Sequence, residues 1–142
     1  MLLDVGLGVL VSIVVSRLFS FPLTPGFVVG SIVFAFLVDL DFLFHITRGS
    51  SHRNAHRHRD LLHLPLLYIP AGSLITYFLG GTPWGLAFAL SSLGHFIHDS
   101  IGIGWGVQWL RPFTDNHYSF FYNIQTSRKG KIAEKIAVYL EG

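Results

Sequence analysis

The sequence predicts an all-α fold: a polytopic membrane protein of about four transmembrane helices, with a polar His/Asp site at their cytoplasmic end. Three observations carry that expectation. Hydrophobic residues make up 51% of the 142-residue chain and charged residues only 13%, against about 25% charged in an ordinary soluble domain. Mean hydropathy is +0.52, and the apolar residues fall into four runs near the length that crosses a hydrocarbon core of roughly 30 Å. The ionisable residues that interrupt those runs gather at one set of ends. At this length a single domain over 1–142 is expected. Cysteine is absent, which excludes disulfides and thiolate metal sites, so a metal here must be held by His, Asp or Glu. Net charge is +2 and the basic residues form two clusters. That pattern fits a membrane orientation signal, and no nucleic-acid partner is expected, because one would want a broad basic face.

The first predicted span covers residues 2–21. A signal peptide would begin with a basic residue and end at a small-residue cleavage site; Asp4 stands in place of the first, and no such site precedes Pro22, so a retained helix is expected. Two prolines and a glycine in Phe21-Pro22-Leu23-Thr24-Pro25-Gly26 make a turn. The second span, 26–46, ends in VDLDFLFH, where Asp39 and Asp41 lie in the last turns and His45 is one turn beyond Asp41. Carboxylates inside an apolar span are costly and mark function, a partner or a cavity. Phe42, Leu43 and Phe44 follow them directly, so the helix has not yet left the apolar zone.

A polar island follows. Ser51 to His63 holds His52, His56, His58 and His63, with Arg53, Arg57, Arg59 and Asp60. Neutral imidazole is the commonest metal ligand, although a basic loop beside a membrane helix also serves as a topology signal. The third span, 61–79, carries His63 near its start, and Pro65 and Pro70 predict a kink or an irregular first turn. Gly80-Gly81-Thr82-Pro83 is an uncharged turn into the fourth span, 84–103. That span ends in GHFIHDS: His95 and Asp99 are four apart and share a face, with His98 nearby. GIGWGVQWLRP then reads as a glycine-rich loop with an interfacial tryptophan belt. In the tail, 104–142, Ile132, Ile136 and Leu140 at helical spacing suggest a short amphipathic surface helix.

Topology brings these groups together. With short turns, the first and third loops share one side and carry no Lys or Arg, whereas the second loop has four arginines and the tail Arg111, Arg128, Lys129, Lys131 and Lys135. The positive-inside rule then puts the second loop and both termini in the cytoplasm. Asp39, Asp41, His58, His63, His95 and Asp99 all fall at that end, delivered by three helices. Mixed imidazole and carboxylate donors suit a divalent metal, with Zn²⁺ favoured and Mn²⁺ or Fe as further candidates. No GxSxG elbow and no P-loop occur, so serine hydrolase and NTPase chemistry lack support. Arg59, beside His58, carries a planar fork suited to a phosphate or carboxylate.

These motifs resemble the YdjM-like family of inner-membrane metal-dependent hydrolases. That family shows Asp-x-Asp closing an apolar helix, His-Arg-x-x-x-His opening the next, and His-x-x-x-Asp in a later one. The matching residues are Asp39 and Asp41 in VDLDF, His58, Arg59 and His63 in HRDLLH, and His95 and Asp99 in HFIHD, with WLRPF after them. The ordered set runs from about Gly26 to Phe121. Two positions depart from the family pattern: Val38 where a proline is common, and Asp60-Leu61-Leu62-His63 where Gly-x-Thr-His is common. The resemblance implies an inner-membrane location and a hydrolase whose six His and Asp residues are metal ligands. Asp41 is then a ligand or the general base, and Arg59 orients an anionic substrate, a phosphoester or lipid headgroup. Two other classes compete: a metal-ion carrier or channel component, and a non-catalytic adaptor binding lipid or protein through its basic loop and tail. Membrane lipids, a small-molecule or lipid substrate, and a homodimer through small-residue contacts are the expected partners.

Overall fold

The structure, a computed structural model, describes residues 2–40, 63–101, 106–114 and 116–120. Within them lie four α-helices and no strand: α1 (Leu2–Phe19), α2 (Pro25–Phe36), α3 (Pro65–Gly80) and α4 (Thr82–Ile101). The all-α class is as expected. Of these helices α1 is long and apolar enough to cross a membrane by length and composition, while Pro25–Asp39 and Pro65–Gly80 are apolar but shorter.

Local chemistry sets the boundaries. Thr24 caps α2, its Oγ1 accepting from the Phe27 N–H at 3.2 Å, and Pro25 fills the first helical position, where a missing N–H costs nothing. The expected span 26–46 is broken within the described residues, and its part beyond residue 40 lies outside them. The helix tightens at Leu37–Asp39 into a 3₁₀ turn, as helix ends often do, so Asp39 leaves the α register. The third helix begins at Pro65 rather than 61, since proline is at home in a first turn. His63 therefore stands two residues before α3, not on it. Pro70 lies inside the helix. The expected four-residue turn before α4 shrinks to Gly81, whose φ of 83° suits glycine. Its N–H closes α3 on the Tyr77 carbonyl at 2.7 Å.

Short connections make α1 and α2, and α3 and α4, antiparallel neighbours. Helix α4 is central and packs against all three others. Close approach depends on missing side chains. A Cβ on Gly8 would sit 2.5 Å from the Ile32 Cα on α2, and one on Gly94 would sit 2.5 Å from Leu7 Cδ2 on α1. The second contact seats the start of α1 against the end of α4.

The interior has two apolar clusters. One is Val11, Val15, Phe27 and Ala87, flanked by Leu7 and Trp84; the other is Val38, Phe96 and Val107, flanked by Tyr68, Ile69 and Trp109. Serines 12, 31, 91, 92 and 100 are also buried, whereas Leu10, Val29, Leu74, Phe78 and Leu79 are exposed. The segment after α4 folds back under the second cluster. Val107 and Tyr118 form an antiparallel bridge, and Phe120 N–H donates to the Ser100 carbonyl at 2.8 Å. Trp109, expected at a membrane interface, instead packs on Phe96 with ring centroids 6.2 Å apart. Its Nε1–H donates to Ser100 Oγ at 2.8 Å. An indole this close to a hydroxyl inside the fold satisfies its N–H there rather than in the headgroup layer.

Candidate metal centre

The antiparallel order places the end of α2, the entry to α3 and the last turns of α4 at one end of the bundle. There His63 and His95 are buried, 4% and 2% exposed, and Asp39 and Asp99 reach them from more open positions. Donor atoms of Asp39, His63 and His95 all lie within 4.8 Å of one another. His95 Nε2 is 3.4 Å from Asp39 Oδ1 and 3.7 Å from Asp99 Oδ2, and His63 Nε2 is 3.4 Å from Asp99 Oδ2. Tetrahedral bonds of about 2.0–2.1 Å place neighbouring ligand atoms about 3.3–3.4 Å apart, so these spacings suit a small divalent ion.

Burial and hydrogen bonding bear on whether the group could hold a metal. His95 Nε2 is buried and has no close hydrogen-bond partner among the described residues, Asp39 Oδ1 standing off at 3.4 Å. Its other nitrogen is engaged: Nδ1 lies 3.0 Å from Asp4 Oδ1. A carboxylate can only accept, so Nδ1 carries a proton toward Asp4, and Nε2 is the nitrogen left to face Asp39 and Asp99. Two carboxylate oxygens facing one imidazole nitrogen make a site for positive charge, which a proton on the ring or a bound cation can supply. The donor set, two imidazoles and two carboxylates, fits Zn²⁺, Mn²⁺ or Fe.

The family model described as YdjM inner membrane protein matches residues 4–138. The chain belongs to the YdjM family. No curated protein and no solved structure matches it. The family is one of inner membrane proteins, which accords with the composition and with the exposed leucines and Phe78 of α3.

Of the six ligands expected in this YdjM protein, the fold brings together Asp39, His63, His95 and Asp99. Asp41, His58 and Arg59 lie outside the described residues, as do His45, His52 and His56. His98, flagged beside His95, is 39% exposed in its side chain and turns toward Asp4, 3.9 Å from its Oδ1. Sequence reasoning missed Asp4, which is 2% exposed and meets His95 across 91 positions of chain. A signal was available: Asp4 is a carboxylate in an apolar run, the same cue that singled out Asp39. A shallow apolar groove of about 450 Å³ between α3 and α4 is lined by Phe19, Pro70, Leu74, Tyr77 and Leu86. It contains none of the four donors and contributes nothing to this chemistry.

Proposed function

We propose that this YdjM protein is a metal-dependent hydrolase embedded in the inner membrane, working at the cytoplasmic face on a phosphoester or lipid headgroup. The observation that carries the reading is His95 Nε2: a buried, unbonded imidazole nitrogen facing donors from two other chain segments. His63 and His95 would hold the ion on its buried side. Asp39, 51% exposed in its side chain, would hold it on the open side, and Asp99 would bridge between the imidazoles. When bound, such an ion supplies Lewis acidity and a water nucleophile near neutral pH, without serine or cysteine. Substrate would approach on the side of Asp39, the more exposed carboxylate of the group. In the same reading Asp41 takes the proton of the attacking water and Arg59 orients the anionic group.

The membrane part of the proposal is a single domain of four spans with both termini cytoplasmic. Its support is the apolar outer surface of the bundle, with Leu10, Val29, Leu74, Phe78 and Leu79 exposed while five serines are buried among the core residues. Lipid-embedded helices pack through small and polar residues because lipid already solvates the apolar ones. The uneven loop charge supports the orientation.

The test is metal content of the detergent-purified protein by mass spectrometry, beside His95→Ala, followed by a phosphoester panel. Near-stoichiometric Zn²⁺, Mn²⁺ or Fe in the parent, lost in the variant, together with metal-dependent turnover, is the expected result. No metal in the parent after adding back Zn²⁺ and Mn²⁺ overturns the reading.

A further inference from the structure

We infer that Asp4 is the positioning residue of the metal centre: it selects the nitrogen through which His95 binds and sets how tightly the ion is held. The inference rests on the metal-centre reading above and adds a residue to it. Asp4 lies in the first turn of α1, the positive end of a helix, where a carboxylate is held as an anion. Its Oδ1 is 3.0 Å from His95 Nδ1, with the two side chains 4% and 3% exposed. So buried a pair is not a surface accident. The two carboxylates of the cluster lie on the opposite nitrogen: Asp39 Oδ1 and Asp99 Oδ2 both approach Nε2. The imidazole is therefore fixed from behind by one carboxylate and presented forward to the rest.

A carboxylate behind a ligating histidine has two physical effects. It fixes the proton on Nδ1 and the ring orientation, so less free energy is lost in turning the ring when the ion binds. It also raises the basicity of the ligating nitrogen by stabilising positive charge on the ring. Loss of such a partner typically costs 10–100-fold in metal affinity. The seat of Asp4 is built into the bundle, since Leu7, one turn along α1, fills the space left by Gly94 on α4. The first turn of α1 thus belongs to the site although it supplies none of the four donors.

The obvious alternative is a purely structural clasp between α1 and α4. Asp4→Asn separates the two roles, because the amide oxygen still accepts from Nδ1–H and keeps the clasp while the charge is gone. Zn²⁺ affinity would be measured by chelator competition on the purified full chain for the parent, Asp4→Asn, Asp4→Ala and His95→Ala. Thermal unfolding of the metal-free proteins and the visible absorption of their Co²⁺ forms would be recorded in parallel. The expected result is Zn²⁺ binding weakened 10–100-fold in Asp4→Asn with metal-free stability close to the parent, a shifted Co²⁺ spectrum, and a further loss in Asp4→Ala. Parent-like affinity and spectrum in folded Asp4→Asn and Asp4→Ala, with metal still lost in His95→Ala, overturn this inference and leave the metal centre standing. A parent that binds neither Zn²⁺ nor Co²⁺ overturns both.

Discussion

Two glycines on α1, two residues apart, should respond oppositely to the same substitution. Gly6 has nothing within 4 Å of where a Cβ would stand, whereas the Cβ of Gly8→Ala would lie 2.5 Å from Ile32 Cα and 2.7 Å from Ile32 N. Ordinary contact begins at 3.4 Å, so α1 and α2 must separate locally by roughly 1 Å, and the obstacle is backbone that no rotamer change can move. Replacing glycine by alanine inside a helix gains about 0.5–1 kcal/mol from backbone entropy. Forcing atoms into a packed interface costs about 1–3 kcal/mol. Gly6→Ala is therefore expected to stabilise by about 0.5–1 kcal/mol, and Gly8→Ala to destabilise by up to about 2 kcal/mol after the propensity gain is subtracted. The assay is reversible unfolding of the purified protein in mixed detergent micelles, with Zn²⁺ affinity measured beside it. Because α1 carries Asp4 one turn before Gly8, Gly8→Ala should also weaken the ion and Gly6→Ala should not. Equal stabilisation by both changes would refute the close helix crossing and the seat it gives Asp4.

Two further outcomes follow from the site and its placement. Zn²⁺ affinity should rise with pH through the acid range, because two imidazoles must be unprotonated to bind the ion, and a flat profile in competition titrations would exclude two histidine ligands. The chain has no cysteine, so single replacements report sidedness without background. Asn54→Cys in the arginine-rich loop should react with an impermeant maleimide only once cells are opened, and Thr82→Cys at the opposite turn should react in cells whose inner membrane is intact. The reverse pattern would invert the proposed orientation.

Much of this was legible in the chain. Pro25 and Gly81 mark real helix limits, because a residue that fixes φ or tolerates positive φ acts on its own backbone wherever it lies, whereas Pro65, expected inside a span from 61, opens its helix. His95 and Asp99 share a face for the equally local reason that four residues make about one turn. Short turns then force successive helices to reverse, which is why Asp39, His63, His95 and Asp99 meet at one end.

Other features depend on what lies across the bundle. Helical periodicity shows that His95 and His98 are neighbours, but not which of them faces α2; packing against Leu7 and Asp4 decides that. The tightening at Leu37–Asp39 carries no sequence signal comparable to Pro25 or Gly81. Trp109 has the composition of an interfacial anchor and becomes a packed residue only because Ser100 is there to accept its N–H. Asp4 shows the division most clearly. Its carboxylate in an apolar run announces by itself a buried partner, since an unpaired charge there is too costly to persist. That the partner is His95, 91 positions away, is settled only when a missing side chain at Gly94 lets α1 and α4 close together. The sequence by itself determined that a polar centre must exist and at which end; the tertiary structure decided which nitrogen faces it, because orientation depends on contacts between helices that no local pattern encodes.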